Sequence, residues 1–390
     1  MNLSEAEASA LSGLFAALSR RPDLEAPELL AHDATDALLL ETAAAGIRGS
    51  DGDLVVIGDR HGALTLGAVG VLGANRVRTH QDPLLGERAL AANAERIGIP
   101  SGSFASHGLD AGLLEGARVV LMQLPRGLEA LDETAAAIAR WARPDVRVYA
   151  GGRVKHMTRA MNDVLARSFA EVRAGLGQRK SRVLTAAGPR DPGPARFPRW
   201  GEDPDLAFRV AAHGATFGGA TLDHGSRLLL VGLADAAPDA RRIVDLGCGN
   251  GVLGVAAALA RPATRVIATD QSAAAVAATA LTAEAAGVAE RVEVHRADAT
   301  EAVPDGWAEL ILLNPPFHTG AAVHAGVAHR LIRSCARALA PRGELRIVFN
   351  SHLGYRPLIE RVIGPTRQVA RDRTFTVLSA VRRSPGARTR

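Results

Sequence analysis

The sequence predicts an α/β protein made of two parallel-sheet domains in tandem. Three observations favour this fold class: strand-like apolar runs alternate with helix-like runs, a proline-rich stretch lies near the middle of the chain, and the two halves resemble each other. Strands that alternate with helices are typical of right-handed βαβ units and a parallel sheet. The length of 390 residues fits two or three domains of about 150 residues each.

The second half of the chain shows the alternation most clearly. The run Leu310–Leu313 is wholly apolar, as expected of a parallel strand that is buried on both faces. A long alanine-rich stretch ends at Gly287, where a helix C-cap is expected. The pattern predicts strands at 242–246, 265–270, 291–295, 310–313 and 344–350, separated by helices near 252–260, 272–286 and 327–339.

The proline-rich stretch at residues 186–205 predicts a linker. It contains five prolines and shows neither helical nor strand periodicity, and proline at this density interrupts both kinds of hydrogen-bond ladder. We therefore divide the chain into a first domain (1–187), a linker (188–206), a second domain (207–382) and a basic tail (383–390).

The first half repeats local patterns of the second half. Ile57–Gly62 and Leu246–Gly251 both pass from an apolar run into a glycine-containing loop, and Leu121–Arg126 resembles Leu312–Phe317 further along the chain. The retained spacing favours duplication of a whole domain over a solenoid. The alternative is that any two α/β domains look alike at this level of detail.

The composition excludes several classes of protein. Hydrophobic residues make up 47% of the chain and charged residues 22%, which is the balance of a soluble globular protein. Cys248 and Cys335 are too few for a disulfide framework or a four-cysteine zinc site, so we expect a reducing compartment and no metal. No apolar run reaches the ~18 residues of a membrane-spanning helix, and residues 1–30 do not resemble a signal peptide. We predict a cytoplasmic protein without a membrane partner.

The net charge of +5 is mild, but almost all basic residues are arginines, with Lys155 and Lys180 as the only lysines. Arginine suits contact with phosphate and stacking on bases. A genome that encodes arginine-rich proteins in general would produce the same bias, so charge alone does not establish a nucleic-acid partner.

A glycine-rich loop in Val244–Gly251 is expected between a strand and a helix. Glycines there let the backbone turn sharply and approach a ligand closely. A dinucleotide site would place the third glycine where Val252 stands, and the Gly-Lys-Ser/Thr of a P-loop is missing. The pattern D-x-G-x-G-x-G resembles the first motif of class I S-adenosylmethionine methyltransferases, in which the loop lies against the methionine and ribose of the cofactor.

Two acids follow the next two predicted strands. Asp270 at the end of its strand can accept hydrogen bonds from both ribose hydroxyls of a nucleotide. Alternatively, Asp270 and Ser272 are both suited to capping the following helix. Asp298 matches the place where the same methyltransferases contact the adenine amine, and a surface turn is the alternative there.

The segment Asn314-Pro-Pro-Phe317 is the most specific motif. Two prolines after a buried strand fix the backbone and remove two donors, so the carbonyls of Asn314 and Pro315 can accept from a ligand. An amide oxygen beside a fixed carbonyl can orient an exocyclic amine, and Phe317 offers a flat surface to a base. The alternative is a strand-ending turn with a core phenylalanine.

Further segments resemble the RsmC/RlmG group of ribosomal RNA guanine-N2 methyltransferases. Thr216–Ser226 is similar to their F-x-x-x-x-L-D-x-G-S segment, although Gly218 and His224 depart from it, and Val348–Tyr355 is similar to their fifth-strand segment. The resemblance covers nearly the whole chain and is closer to the large-subunit branch. It implies two tandem Rossmann-like class I methyltransferase domains, of which the first is degenerate.

The resemblance also implies a site, a cofactor and a partner. The target guanine, flipped out of any stack, would be held by Asn314, Pro315, Pro316 and Phe317. S-adenosylmethionine would be bound by Phe217, Leu222, Asp223, Asp245, Gly247, Gly249, Asn250, Gly251, Asp270, Gln271, Asp298, Ala299 and Asn314. The partner would be ribosomal RNA or a pre-ribosomal particle. We expect a monomer, because an internal duplication can substitute for a dimer.

The first half lacks this chemistry. Arg60 stands in the position of Gly249, Gln81 stands in that of Asp270, and Gln-Leu-Pro-Arg replaces Asn-Pro-Pro-Phe. We infer a domain that keeps the fold without catalysis and, as the resemblance implies, positions RNA. Three basic residues here could contact phosphate or form a solvated helix face: Arg153, Lys155 and His156.

Two other functions remain open on the sequence. Methylation of adenine in nucleic acid or of a protein glutamine would use the same acceptor geometry, although glutamine enzymes usually carry tyrosine in place of Phe317. A non-catalytic RNA-binding module with a vestigial cofactor site is the alternative that is not an enzyme.

Overall fold

The computed structural model describes residues 3–316 and 321–384, with the backbone alone at 321–325. The chain forms two compact units, Met1–Phe197 (unit 1) and Pro198–Arg390 (unit 2). Within the described ranges, none of the helices is both long enough and apolar enough to cross a bilayer.

The described residues of unit 1 form a seven-stranded sheet with helices on both faces. Its helices are α1 (Glu5–Ala17), α2 (Ala34–Ile47), α3 (Ala63–Gly70), α4 (Leu84–Ile97), α5 (Ala111–Leu114), α6 (Leu128–Trp141) and α7 (Arg159–Ser168). Its strands are β1 (Leu54–Ile57), β2 (Val77–His80), β3 (Phe104–Ser106), β4 (Val119–Gln123), β5 (Arg147–Arg153), β6 (Phe169–Ala174) and β7 (Ser181–Pro189). The strand order is β3-β2-β1-β4-β5-β7-β6, and β7 is antiparallel to both of its neighbours.

Unit 2 contains a sheet with the same order of strands. Its helices are α8 (His224–Val231), α9 (Val252–Ala260), α10 (Ala273–Ala285), α11 (Ala321–Ala338) and α12 (Arg356–Val362). Its strands are β8 (Arg199–Gly201), β9 (Val210–Ala212), β10 (Arg242–Leu246), β11 (Arg265–Asp270), β12 (Val292–Arg296), β13 (Ala308–Leu313), β14 (Leu339–Asn350), β15 (Thr366–Arg371) and β16 (Phe375–Val381). The large sheet runs β12-β11-β10-β13-β14-β16-β15, while β8 pairs with β9 alone.

The central strands are mostly apolar because both faces are covered, with Arg242 and Asp245 of β10 and Glu309 of β13 as exceptions. In β10, Val244 and Ile243 pack into different hydrophobic clusters on opposite faces of the sheet, and Ile311 and Leu312 of β13 do the same. Burying one such side chain contributes about 1.5–3 kcal/mol. These two strands therefore fix the frame from which the loops at their carboxyl ends project.

The structure corrects three of the predicted boundaries. The linker at 188–206 is not free of strands, because β7 extends to Pro189 and β8 pairs with β9 across it. Helix α11 begins at Ala321 rather than near residue 327. The sequence did not reveal this start because residues 321–326 carry no amphipathic period. Strand β14 begins at Leu339, which pairs with Ala308 ahead of an irregularity in the register.

Candidate active site at the carboxyl edge of unit 2

The predicted motifs of unit 2 meet at one edge of its sheet. Strands β10 and β13 are parallel neighbours. From β10 the chain continues to β11, towards one edge of the sheet, and from β13 it continues to β14, towards the other edge. In open α/β sheets, such a switch in strand order leaves a crevice beyond the carboxyl ends of the strands, where ligands bind. The glycine loop follows β10 and Asn314 follows β13, so both border this crevice.

The glycine loop requires glycine for two different reasons. Gly247, Gly249 and Gly251 have φ values of 74°, 56° and 83°, in the left-handed region. A Cβ added at Gly247 or Gly249 would meet no atom within 4 Å, whereas one at Gly251 would lie 3.0 Å from the Cα of Thr279. The first two glycines thus border open space, and the third allows α9 and α10 to pack closely.

Asp270 ties the end of β11 to this loop. Its Oδ2 accepts a hydrogen bond from Gly249 N at 3.1 Å, and its Oδ1 accepts one from Ser272 N at 3.0 Å. Ser272 is itself the N-cap of α10, with Oγ accepting from Ala275 N at 3.1 Å. The two interpretations of Asp270 are therefore compatible, because the carboxylate supports the helix start while facing the loop. Contact with a ribose stays a prediction.

Asp245 and Asn250 hold the loop in place. Asp245 is buried and its Oδ2 accepts from Gly254 N at 2.8 Å, while burial raises the pKa of this carboxyl to about 7. The Nδ2 of Asn250 donates to the carbonyl oxygens of Gly219 at 2.9 Å and Thr221 at 2.8 Å. Both side chains thus fix backbone, while Oδ1 of Asp245 is buried without a hydrogen-bond partner among the described residues. The predicted direct contacts of these two residues with the cofactor stay predictions.

The side chain of Asn314 is held in one orientation. Its Nδ2 donates to Asp223 Oδ1 at 3.1 Å and to Ser226 Oγ at 3.0 Å. A carboxylate can only accept, so Asp223 determines which end of the amide is nitrogen. Oδ1 of Asn314 is buried and finds no hydrogen-bond donor in the described part of the chain. An unsatisfied buried acceptor costs about 1–3 kcal/mol and marks a place where a ligand N–H is expected.

Asp223 is placed by the start of a helix. It is the N-cap of α8, and its Oδ1 accepts from Gly225 N at 3.0 Å and from Ser226 N at 3.1 Å. The same oxygen therefore caps α8 and orients Asn314. Ser226 was not among the predicted site residues. Its place at the end of the F-x-x-x-x-L-D-x-G-S segment is the sequence feature that could have identified it.

The other predicted residues of the acceptor side have different exposures. Pro315 is buried and Pro316 is exposed, while Phe317 lies outside the described residues. Leu222 is buried against Val210 and Val252. Phe217, on the same segment as Leu222, is 45% exposed, so its ring is accessible from solvent.

The loop after β12, where contact with the adenine was predicted, contains an ion pair that the sequence did not reveal. Arg330 of α11 forms an ion pair with the carboxylate of Asp298. Ala299 adopts a φ of 51°, and its carbonyl accepts from Thr269 Oγ1 at 2.6 Å. The carbonyl of Gln271 accepts from the guanidinium of an arginine in β12, at 3.3 Å. Nothing in the local pattern around Arg330 could have identified it, since the pair joins residues on separate elements.

His224, which departs from the segment shared with the resembled group, contacts Asp372 and Phe375. Its Nε2 lies 2.6 Å from Asp372 Oδ2, and its ring stacks on Phe375 at 5.5 Å between centroids. Across the described residues, no three His, Cys, Asp or Glu side chains gather into a set that could hold a metal ion.

These features fit S-adenosylmethionine. Open space lies over Gly247 and Gly249, the carboxylate of Asp270 ends the neighbouring strand, and the acceptor of Asn314 is left without a donor among the described residues. Fold and site together define a class I methyltransferase that depends on S-adenosylmethionine.

Comparison with known proteins narrows this class. The family model described as "Methyltransferase small domain" matches residues 207–379, and the one described as "RLMG N-terminal domain" matches residues 7–190. Ribosomal RNA large subunit methyltransferase G of Streptomyces coelicolor is 35% identical, covering 94% of this chain and 97% of that protein. The Pseudomonas entomophila protein of the same name is 33% identical, covering 93% and 96% respectively. The chain belongs to the family of ribosomal RNA large subunit methyltransferase G.

A solved structure has the same fold over most of the chain. It is the T. thermophilus 16S rRNA N2 methyltransferase RsmC in complex with AdoMet and guanosine. The TM-score is 0.72 at 21% identity, with 90% of this chain and 92% of that chain covered. The α/β class I methyltransferase fold predicted from the sequence is thus confirmed.

Proposed function

We propose that this protein transfers a methyl group from S-adenosylmethionine to the exocyclic N2 amine of a guanine in ribosomal RNA, specifically the 23S RNA of the large subunit. The observation that carries the proposal is the buried Oδ1 of Asn314, which has no donor among the described residues. Its place beside the glycine loop suits an acceptor for an amine N–H.

The amide of Asn314 compensates for the weakness of the nucleophile. The exocyclic amine of guanine is delocalised into the ring and attacks poorly. Accepting one N–H at Oδ1 orients the nitrogen lone pair towards the cofactor side of the crevice. Once methylated, the nitrogen is cationic and acidic enough to lose its proton to solvent water, so the site needs no strong base. Proximity and orientation supply much of the rate.

Several residues would hold the cofactor. The backbone of Gly247 and Gly249 would lie against it, and the carboxylate of Asp270 would accept from ribose hydroxyls. Asp298, fixed by Arg330, would face the adenine. When bound, S-adenosylmethionine supplies an electrophilic methyl group on its sulfonium.

The substrate assignment is supported by the relatives. The curated relatives are named for methylation of large-subunit ribosomal RNA, and the structural neighbour is named as an N2 methyltransferase in complex with guanosine. The Asn-Pro-Pro sequence and the fixed amide of Asn314 are what this chain itself contributes to the assignment.

Unit 1 would be a degenerate methyltransferase domain that positions RNA. The equal strand order of the two sheets supports a duplication. Arg60 has a φ of 57°, beside 56° at Gly249, so the loop keeps its backbone path without the glycine. Gln123 donates its amide N–H to Asp36, as Asn314 donates its amide N–H to Asp223 in unit 2. We further propose that residues 207–382 carry the catalysis and that the protein acts as a cytoplasmic monomer.

Labelled methyl transfer tests this function. Full-length protein is incubated with methyl-labelled S-adenosylmethionine and ribosomal RNA from a host that lacks the protein, and the RNA is digested to nucleosides for mass analysis. We expect the label in N2-methylguanosine of the large-subunit RNA. Label in N6-methyladenosine or in a protein glutamine would replace this proposal with one of the two alternatives, and absence of S-adenosylmethionine binding in calorimetry would favour a non-catalytic module.

A further inference from the structure

An aromatic pair stands beside the acceptor side of the crevice in unit 2. His224 follows Asp223, the residue that orients Asn314, and its ring stacks on Phe375 with 5.5 Å between centroids and 30° between the planes. Phe375 begins β16 and pairs in register with Asn350, at the carboxyl end of the strand next to β13. The aromatic pair therefore lies at the same edge of the sheet as Asn314.

The imidazole of His224 is held in one orientation. Its Nε2 lies 2.6 Å from Asp372 Oδ2, while Asp372 Oδ1 accepts from the backbone N–H groups of Phe375 at 2.6 Å and Thr374 at 2.7 Å. The hydrogen bonds from Phe375 N, from His224 and from Thr374 N lower the pKa of the Asp372 carboxyl to about 2. An ionised carboxylate can only accept, so Nε2 of His224 carries a hydrogen and donates it.

The rest of the imidazole is open to solvent. The side chain of His224 is 66% exposed, although Phe375 covers one of its faces and Asp372 holds one of its edges. In the described part of the chain, its Nδ1 has no hydrogen-bond partner. Because neighbouring residues already order this ring, a base that stacks on it costs little further side-chain entropy.

We propose that the exposed face of His224 is a stacking platform for the nucleobase next to the target guanine in the RNA strand; this inference rests on the proposed function. A guanine that is flipped towards Asn314 leaves its neighbour without a stacking partner on one side. Aromatic side chains replace such partners when proteins bind single strands. Nδ1, at the rim of the ring, can form a hydrogen bond with the edge of the stacked base. His224 thus helps to select the sequence around the target.

The first test measures stacking directly with the full-length protein. The RNA is the ribosomal fragment that the wild type methylates, identified by digestion and mass analysis. The fluorescent base 2-aminopurine, which is quenched when it stacks, replaces the base on either side of the target guanine in turn. We expect quenching in the wild-type complex at one of the two positions and its loss in His224→Ala. His224→Phe should keep the quenching, because a phenyl ring also stacks.

The second test separates binding from chemistry. His224→Ala should raise the KM for the RNA fragment about tenfold, within the range of losses when the aromatic partner of one base is removed. The larger share of the loss should appear in KM and not in kcat, because the platform touches a base that does not react. On a fragment with an abasic nucleotide at the stacked position, His224→Ala should raise KM no further, since both changes remove the same contact.

His295→Ala is the matched control. His295 Nε2 lies 2.7 Å from Glu293 Oε1 in another surface pair of imidazole and acid, on β12 at the opposite edge of the same sheet. Surface pairs of this kind contribute little to stability. We expect this variant to keep the wild-type quenching and the wild-type KM for RNA, and circular dichroism checks that all variants are folded.

The outcomes separate this inference from the proposed function. Wild-type quenching and KM in His224→Ala, with methyl transfer by the wild type, would overturn the inference alone. An equal rise in KM on the intact and the abasic fragments would also overturn it, because His224 would then act through the structure of the protein. Absence of methyl transfer by the wild type to any ribosomal RNA would overturn the proposed function and this inference together.

Discussion

Replacing Asp223 with alanine should slow methyl transfer by removing the group that orients Asn314. The hydrogen bond from Asn314 Nδ2 to Asp223 Oδ1 is 3.1 Å long and has a charged acceptor. A hydrogen bond to a charged group contributes about 1.5–3 kcal/mol, and a loss of about 2 kcal/mol corresponds to roughly a 30-fold lower kcat. We therefore expect kcat to fall about 30-fold in single-turnover methyl transfer to ribosomal RNA.

The same substitution also removes the cap of α8, so folding needs its own control. Loss of an N-cap side chain costs about 1 kcal/mol of stability. Ser4→Ala removes a comparable cap, with its capping box, from α1 of unit 1. We expect both variants to lower the thermal unfolding temperature by a few degrees, while Ser4→Ala keeps the wild-type kcat.

A double-mutant cycle with Asn314 separates positioning from direct contact. Asn314→Ala removes the acceptor itself and should lower kcat on the order of a hundredfold, as loss of one preorganised group does in other active sites. Adding Asp223→Ala to Asn314→Ala should then lower kcat no further, because residues that act through one contact are not additive. Additive effects, or a wild-type kcat in Asp223→Ala, would refute the reasoning.

Three further predictions concern the cofactor side of unit 2. Gly249→Ala should weaken S-adenosylmethionine binding in calorimetry, because its φ of 56° borders open space, whereas Gly251→Ala should mainly lower the unfolding temperature, because its Cβ would meet Thr279; equal effects of both on affinity would contradict this. The unfolding temperature of Asp245→Asn should rise relative to that of the wild type as the pH increases from about 4 to about 7. Burial raises the pKa of Asp245 in the folded state from 3.8 to about 7, so the folded wild type binds more protons than its unfolded chain in that window and loses stability as the pH rises. Parallel pH profiles would count against it. Arg330→Gln should raise the Kd for S-adenosylmethionine about fivefold, because a partly buried ion pair with Asp298 is lost, and an unchanged Kd in the same titration would show that the pair does not shape the adenine side.

The sequence sufficed for the features that depend on local pattern. Apolar runs predicted β10 and β13, and Leu310–Leu313 shows no alternation because a strand buried on both faces needs none. The spacing of Gly247 and Gly249 predicted a sharply turning loop, and both residues have a left-handed backbone in the structure. The strand at Arg199–Gly201 escaped prediction because it pairs with a short partner and nothing else, a contact that leaves no periodic signature.

The sequence was less informative about how side chains divide the work of the site. It predicted that Asn250 and Asp223 contact the cofactor, which stays a prediction, whereas in the structure the side chain of Asn250 holds a loop and that of Asp223 orients an amide. Arg330 was missed because its partner lies on a different element. Such roles depend on tertiary hydrogen bonds, which the spacing of residues along the chain does not encode.

The most direct test is a crystal structure of this protein with S-adenosylhomocysteine and guanosine. The account predicts the cofactor product over Gly247–Gly251 of unit 2 and the guanine N2 at hydrogen-bond distance, about 3 Å, from Asn314 Oδ1. Guanosine bound without that contact, or the cofactor product bound in unit 1, would contradict the account.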